Sequence, residues 1–244
     1  MPTTLVFIPG LVSDRRAWTE VEQYFASKGH KTGIADLYSA VSIKAMAQSV
    51  LEQFTGQIIP VGHSMGGRVA MEIARIAPER LQGLVLVATG AHPLAEGELS
   101  NRERVIELAN TQGMQALCDQ WLPPMLRVDI RTTDPKIYNC LEQMVLEAGA
   151  TVHERQIRAL IGRPDAQPLL AALKMPTLLV AGELDTWSTP AQHQKIADSM
   201  LAAKASFGVD VQIVNGAGHF LQVEQPEAFS YLLEGWLEKQ SSQS

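Results

Sequence analysis

The chain has 244 residues, 46% of them hydrophobic and 19% charged, which suits one domain with a sizeable apolar core. Twenty basic against 26 acidic side chains leave a net charge of −6, and no basic run offsets it, so nucleic acid and anionic membrane surfaces are excluded as expected partners. The opening "MPTTLVFIPG" lacks the charged start and long apolar run of a signal peptide, and later apolar runs break well short of a membrane span, so a cytoplasmic protein acting on a small molecule is expected.

In chain order, short apolar runs alternate with helical periods, the pattern of a parallel sheet with crossover helices. "TLVFIP" is the first strand, followed by a helix from about Trp18 to Ser27. "KTGIADL" and "QIIPVGHS" are further strands, separated by the helical "SIKAMAQSVLEQF". "GGRVAMEIARIA" reads as a helix stopped by Pro78, and the unbroken apolar run of "LQGLVLVAT" as a strand covered on both faces. From residue 90 to 172 the pattern is helical throughout. There "MQALCDQWLPPML" puts Met114, Leu117, Cys118, Trp121, Leu122 and Met125 on one face. Strands return with "PTLLVAGELD"; a helix "STPAQHQKIADSML", a strand "VDVQIV" and a helix "PEAFSYLLEGWLEK" complete the chain, and the tail "QSSQS" is expected to fray.

The expected architecture is a doubly wound α/β core, residues 1–89 and 173–244, interrupted by a helical cap at 90–172 that leaves from the carboxyl edge of the sheet. Cys118 and Cys140 have no CxxC or Cys/His spacing, so they read as buried thiols, and no metal site is expected. Nothing in the sequence bears on oligomeric state.

Gly62-His63-Ser64-Met65-Gly66 matches G-x-S-x-G, follows a strand and opens a helix, the context in which a serine becomes a nucleophile held in the open. The alternative is a helix-capping serine. A serine hydroxyl needs a base, a group that orients the base, and donors for an oxyanion. Among six histidines, His219 in "GAGHFLQVEQP" is the candidate base, because it lies in a loop after a strand and glycines precede it. His63 is set aside because, next to the serine on a strand end, its side chain should leave on another side; His30, His92, His153 and His193 have no supporting motif. Asp185, ending the strand "TLLVAGELD", is the candidate orienting acid, with Glu183 as competitor; Asp36 reads as a turn residue bonded to its own backbone. Trp187 and Phe220, beside Asp185 and His219, and Trp121 on the cap are candidates to line a substrate crevice, each with core packing as the alternative. The cap's apolar face is read as sealing the two lobes. Its arginines, Arg127, Arg155, Arg158 and Arg163 among them, are read as solvated charges rather than an anion site.

"VGHSMGG", "PTLLVAGELDTWSTP", "GAGHFLQVEQPEAF" and "FIPGLVSDRRAW", in that Ser, Asp, His order, resemble a capped, small-substrate α/β-hydrolase over nearly the whole chain. The resemblance implies Ser64 as nucleophile, His219 as general base and then acid, Asp185 as its orienter, and an oxyanion hole from the backbone N–H groups of Leu11 and Met65. It implies no cofactor. Where many members read His-Gly this chain has Pro9-Gly10, and the usual opening hairpin is missing, so a sheet of about six strands, parallel throughout, is expected. The activity implied is hydrolysis of small, largely apolar esters of the carboxylesterase kind. A lactone, a thioester or a C–C bond would suit the same residues, and the fold without turnover would make a ligand receptor.

Overall fold

The computed structural model describes residues 3–202 and 207–242. The first strand, β1 (Thr4–Ile8), is buried at every position, as a strand covered on both faces must be. Then come α1 (Thr19–Ser27), with Val21 and Phe25 turned inward one turn apart, and β2 (Lys31–Ile34). The next helix, α2 (Ile43–Gln53), starts at Ser42, whose hydroxyl accepts the Ala45 N–H at 3.1 Å. A single residue, Ser64, separates β3 (Ile58–His63) from α3 (Met65–Ile76). Pro78 ends α3, since the residue before a proline is driven out of the helical region, and Ala77 accordingly has φ −146°. The strand β4 (Leu84–Val87) follows.

The chain then leaves the sheet for a helical region: α4 (Glu98–Trp121), bent at Gly113, then α5 (Ile130–Thr133), α6 (Pro135–Ile161), bent at Gly149, and α7 (Gln167–Leu170). It returns through β5 (Thr177–Gly182), α8 (Pro190–Ala202), β6 (Val209–Val214), α9 (Leu221–Glu224) and α10 (Pro226–Ser242). The strands form one sheet in the order β2-β1-β3-β4-β5-β6, parallel at every pairing. The α/β fold with its inserted helices is therefore the one the sequence implies. The chain builds outward from β1 to β2, then crosses back to β3, so the strand order reverses between β1 and β3. Open parallel sheets bind ligands outside the carboxyl ends of such a pair.

Three details differ from the sequence expectations. The helical face drawn through Met125 breaks earlier, because Pro123 and Pro124 end α4 and the chain continues as a 3-10 turn. Leu117, Cys118, Trp121, Leu122 and Met125 are buried all the same, while Met114 is half-buried. Cys140 is likewise only half-buried, whereas Cys118 is in the core and its thiol pKa is pushed up to about 12 by burial. The expected fraying at the tail does not occur over 240–242, which continue α10; residues 243–244 lie outside the described part. Among the described residues no helix is long and apolar enough to cross a membrane, and no group of side chains could hold a metal ion.

Two glycines let α3 start directly on the sheet. A Cβ on Gly62 would run into the Gly66 carbonyl, and one on Gly66 into the backbone oxygens of Ile8 and Pro9. Backbone cannot give way as a flexible side chain can. Gly66→Ala is therefore expected to lose several kcal/mol, about the upper end for single substitutions, in denaturant unfolding. Gly235 within α10 has open space around its Cβ position, so Gly235→Ala should stabilise by roughly 0.5–1 kcal/mol. Equal effects at the two sites would contradict this account.

Candidate active site

Ser64 has φ 52° and ψ −112°, a backbone conformation uncommon for a residue with a side chain. Its neighbours hold it there. The Ser64 N–H donates to the Val87 carbonyl at 2.9 Å, and the Thr89 hydroxyl donates to the Ser64 carbonyl at 2.7 Å. Thr89 is in turn held by His193: its N–H donates to His193 Nε2 at 3.2 Å, while His193 Nδ1 donates to the Thr189 carbonyl at 3.0 Å. Val12 and Ala88 also have positive φ, 45° each, so the loops leaving β1, β3 and β4 all carry a strained non-glycine residue at the same sheet edge.

Ser64, His219 and Asp185 meet in one line. His219 Nδ1 lies 2.8 Å from Asp185 Oδ2, and His219 Nε2 lies 3.0 Å from Ser64 Oγ. The carboxylate can only accept at Nδ1, so the neutral ring carries its proton there and turns the Nε2 lone pair to the serine hydroxyl. Asp185 is 3% exposed, and its Oδ1 accepts the Trp187 and Ser188 N–H groups at 2.8 and 2.9 Å. Burial works to raise its pKa, but the His219 contact and these two amides outweigh it and hold the carboxyl below its usual range. Glu183 points outward instead, accepting the Gly216 N–H at 2.8 Å, and Asp36 accepts the Tyr38 N–H, as a turn residue does.

The His219 loop is gripped by the helical insertion. The His219 N–H donates to the Met125 carbonyl at 2.7 Å, and a Cβ on Gly218 would sit 2.6 Å from that same oxygen. Glu224, 4% exposed, accepts the Gly218 N–H at 3.1 Å through one oxygen and the Arg127 N–H at 3.0 Å through the other. Burial raises its pKa against the pull of those amides. Sequence reasoning missed Glu224, because a glutamate in a loop before a helix looks like surface. It also misjudged His63, whose side chain goes under the His219 loop rather than away from the site. His63 Nε2 donates to the His219 carbonyl at 2.9 Å, and the two rings lie 5.0 Å apart.

Met65 opens α3 with its side chain buried, and Leu11, also buried, follows Gly10 in the loop after β1; both stand at the switch point beside Ser64. Phe220 is 1% exposed, packed against His63 at 5.0 Å and His219 at 5.9 Å, so its ring supports the histidines from within the core. Trp121 is buried edge-on to Phe220 at 6.4 Å. Trp187 is 50% exposed, and the contact that ties this residue to the site is its backbone N–H on Asp185. Of the insertion's arginines, Arg158 is exposed beside Glu154, but Arg163 is buried. Arg163 holds Glu98 and the carbonyls of His92, Pro93 and Leu160, joining the two ends of the insertion rather than facing water. A cavity of about 520 Å³ opens at the carboxyl end of β2, lined by Ser13, Asp14, Ile34, Asp36 and Tyr38 among others; it does not include Ser64, Asp185 or His219.

The sequence profile of the Alpha/beta hydrolase family matches residues 5–230, and the chain belongs to that family. A pimeloyl-[acyl-carrier protein] methyl ester esterase of Klebsiella pneumoniae (strain 342) is 52% identical over 52 residues, 21% of this chain and 20% of that protein. The 3-oxoadipate enol-lactonase 2 of Acinetobacter baylyi is 26% identical over 182 residues, 73% of this chain and 62% of that protein. The matched stretches thus span a fifth and somewhat under two thirds of these relatives' lengths. Among solved structures, a thermophilic esterase from Thermogutta terrifontis superposes with a TM-score of 0.88 at 26% identity, covering 98% of this chain and 91% of that one. Family profile and superposition together give the chain the α/β-hydrolase fold.

Two outcomes follow from this geometry. Glu224→Ala leaves two backbone N–H groups without their acceptor, which should cost about 1–3 kcal/mol for each in urea unfolding; an unchanged midpoint would show that the clamp contributes nothing. Burial pushes the His63 pKa down to about 3 and the His153 pKa to about 4, and lowers that of His193. The unfolded chain takes up protons there near pH 6.5 that the folded chain refuses. This stability is fully present above about pH 6.5 and is lost as pH falls towards 4, at up to about 1.4 kcal/mol per pH unit for each ring. Glu224, with its raised pKa, works with the opposite sign but is one group against three. Urea midpoints should therefore fall from about pH 7 to about pH 5, and a flat profile would show that the rings are not held neutral.

Proposed function

We propose that the protein is a serine hydrolase that cleaves small, largely apolar carboxylic esters through an acyl-enzyme on Ser64. The observation that carries this is the continuous hydrogen-bonded line from Asp185 through His219 to Ser64, at 2.8 and 3.0 Å. Ser64 Oγ attacks the ester carbonyl while His219 Nε2 takes its proton. The Leu11 and Met65 N–H groups hold the oxyanion, the imidazolium protonates the departing alcohol, and water then repeats the sequence on the acyl-enzyme. Asp185 stays ionised throughout, in keeping with its lowered pKa, and stabilises the imidazolium. No cofactor is needed, because base, orienter and amide donors are all supplied by the chain. The apolar residues flanking the serine and its oxyanion loop, Met65 and Leu11, disfavour a charged acyl group and support an uncharged one. The similarity to proteins named as esterases supports the ester reading. The named enol-lactonase supports a lactone as the next choice, since ring opening is the same acyl transfer with both products on one molecule.

A fluorophosphonate should label the protein once, at Ser64, and Ser64→Ala should abolish both labelling and ester turnover. Labelling that survives Ser64→Ala would defeat the proposal. Asp185→Asn should lower kcat by about 10⁴-fold, because the imidazole loses its tautomer and orientation, whereas Glu183→Gln should change it little. On p-nitrophenyl esters, kcat/KM should climb about fourfold per added methylene over the first few carbons, from roughly 0.8 kcal/mol of apolar burial each, and decline for long chains. A maximum at long chains would instead indicate an open, lipase-like groove.

A further inference from the structure

Gln156 lies on α6 in the helical insertion and is wholly buried; its Oε1 accepts the Val12 N–H at 2.7 Å across 144 residues of chain. Val12 directly follows Leu11, is itself wholly buried, and holds φ 45°, a conformation that a β-branched residue rarely adopts. The other polar end of the same peptide unit is also held. The Ser13 hydroxyl donates to the Leu11 carbonyl at 3.0 Å. The Leu11–Val12 peptide is thereby fixed at both its C=O and its N–H, which anchors Leu11 immediately after the peptide that carries its own N–H.

Among the described residues the Gln156 Nε2 has no hydrogen-bond partner, and neither has either ring nitrogen of His153 one turn earlier on α6. The Gln156 Oε1 bond goes to the loop after β1. The bond satisfies a buried backbone N–H, and because it comes from another part of the chain it also fixes which way that peptide faces.

We infer that Gln156 is a positioning residue for the oxyanion hole: it locks the Leu11–Val12 peptide so that the Leu11 N–H points at the developing oxyanion, which makes the inserted helix part of transition-state stabilisation. This rests on the proposed role of Leu11 as an oxyanion donor. Losing the lock leaves the donor in place but misaimed, so the cost falls on the tetrahedral state and not on ester binding.

Gln156→Met, similar in volume but without the amide oxygen, tests this with p-nitrophenyl butyrate and with a trifluoromethyl ketone, whose adduct with the serine places an oxyanion in the same position. The expected result is a fall in kcat of about 10- to 100-fold, KM within about threefold, and ketone affinity weakened in parallel with kcat/KM. Unchanged kcat and ketone affinity in the folded variant, or a loss confined to KM, would overturn the inference. A second measurement needs no variant: in the wild-type protein the Val12 amide should be protected from hydrogen exchange although it lies outside every helix and strand, and free exchange would overturn the inference equally. Ser64→Ala, run alongside, separates the two levels. If it retains turnover, the hydrolase mechanism itself falls; if it is inactive while Gln156→Met behaves as wild type, only the positioning role falls.

Discussion

Everything in the site depends on one tight turn, the single residue between β3 and α3. Ser64 takes up a left-handed conformation there only because α3 presses its first turn against β1 and β3, and that approach exists only where Gly62 and Gly66 lack a side chain. The turn is then held from the next strand, by the Val87 carbonyl on its N–H and by Thr89 on its carbonyl. Strain of about 1–3 kcal/mol at such a residue persists only when the surroundings over-determine it, and here they do.

Around that turn the electrostatics divide by role. Asp185 is buried yet kept ionised by three donors, while His63 beside the His219 ring is buried and kept neutral, free to donate to the His219 backbone. The same desolvation therefore yields a charge in one place and none in the other: N–H donors face the Asp185 carboxylate, while among the described residues the only acceptor that meets His63 is one backbone carbonyl, too little to hold an imidazolium out of water.

The helical insertion does more than cover the sheet. It contributes the Met125 carbonyl and the Arg127 N–H that grip the His219 loop, and the Gln156 oxygen that meets the loop after β1. Ion pairing adds a third seam, from Arg16 to Glu147 at 2.8 Å, and Arg155 donates to the Tyr38 carbonyl at 2.5 Å. Leu117, Trp121 and Leu122 are buried, and the Trp121 ring meets Phe220 edge-on at 6.4 Å.

Alone, the sequence determined what local pattern and chain order can encode. Uninterrupted apolar runs marked the buried parallel strands, glycines bracketed the turn at Ser64, strand-end placement made Asp185 the candidate over Glu183, and a glycine-preceded loop after a strand made His219 the candidate over five other histidines. These signals are short-range: each is a matter of which residue types suit a strand, a turn or a helix start. Only the tertiary structure decided the rest, because it depends on which side chains meet across long separations. Nothing local distinguishes Glu224 from a surface glutamate, Arg163 from a solvated arginine, or Gln156 from an ordinary polar residue on a helix. Their roles arise when backbone N–H and C=O groups that lie outside any helix or strand are buried and must find partners, and those partners come from parts of the chain that only folding brings within hydrogen-bond distance.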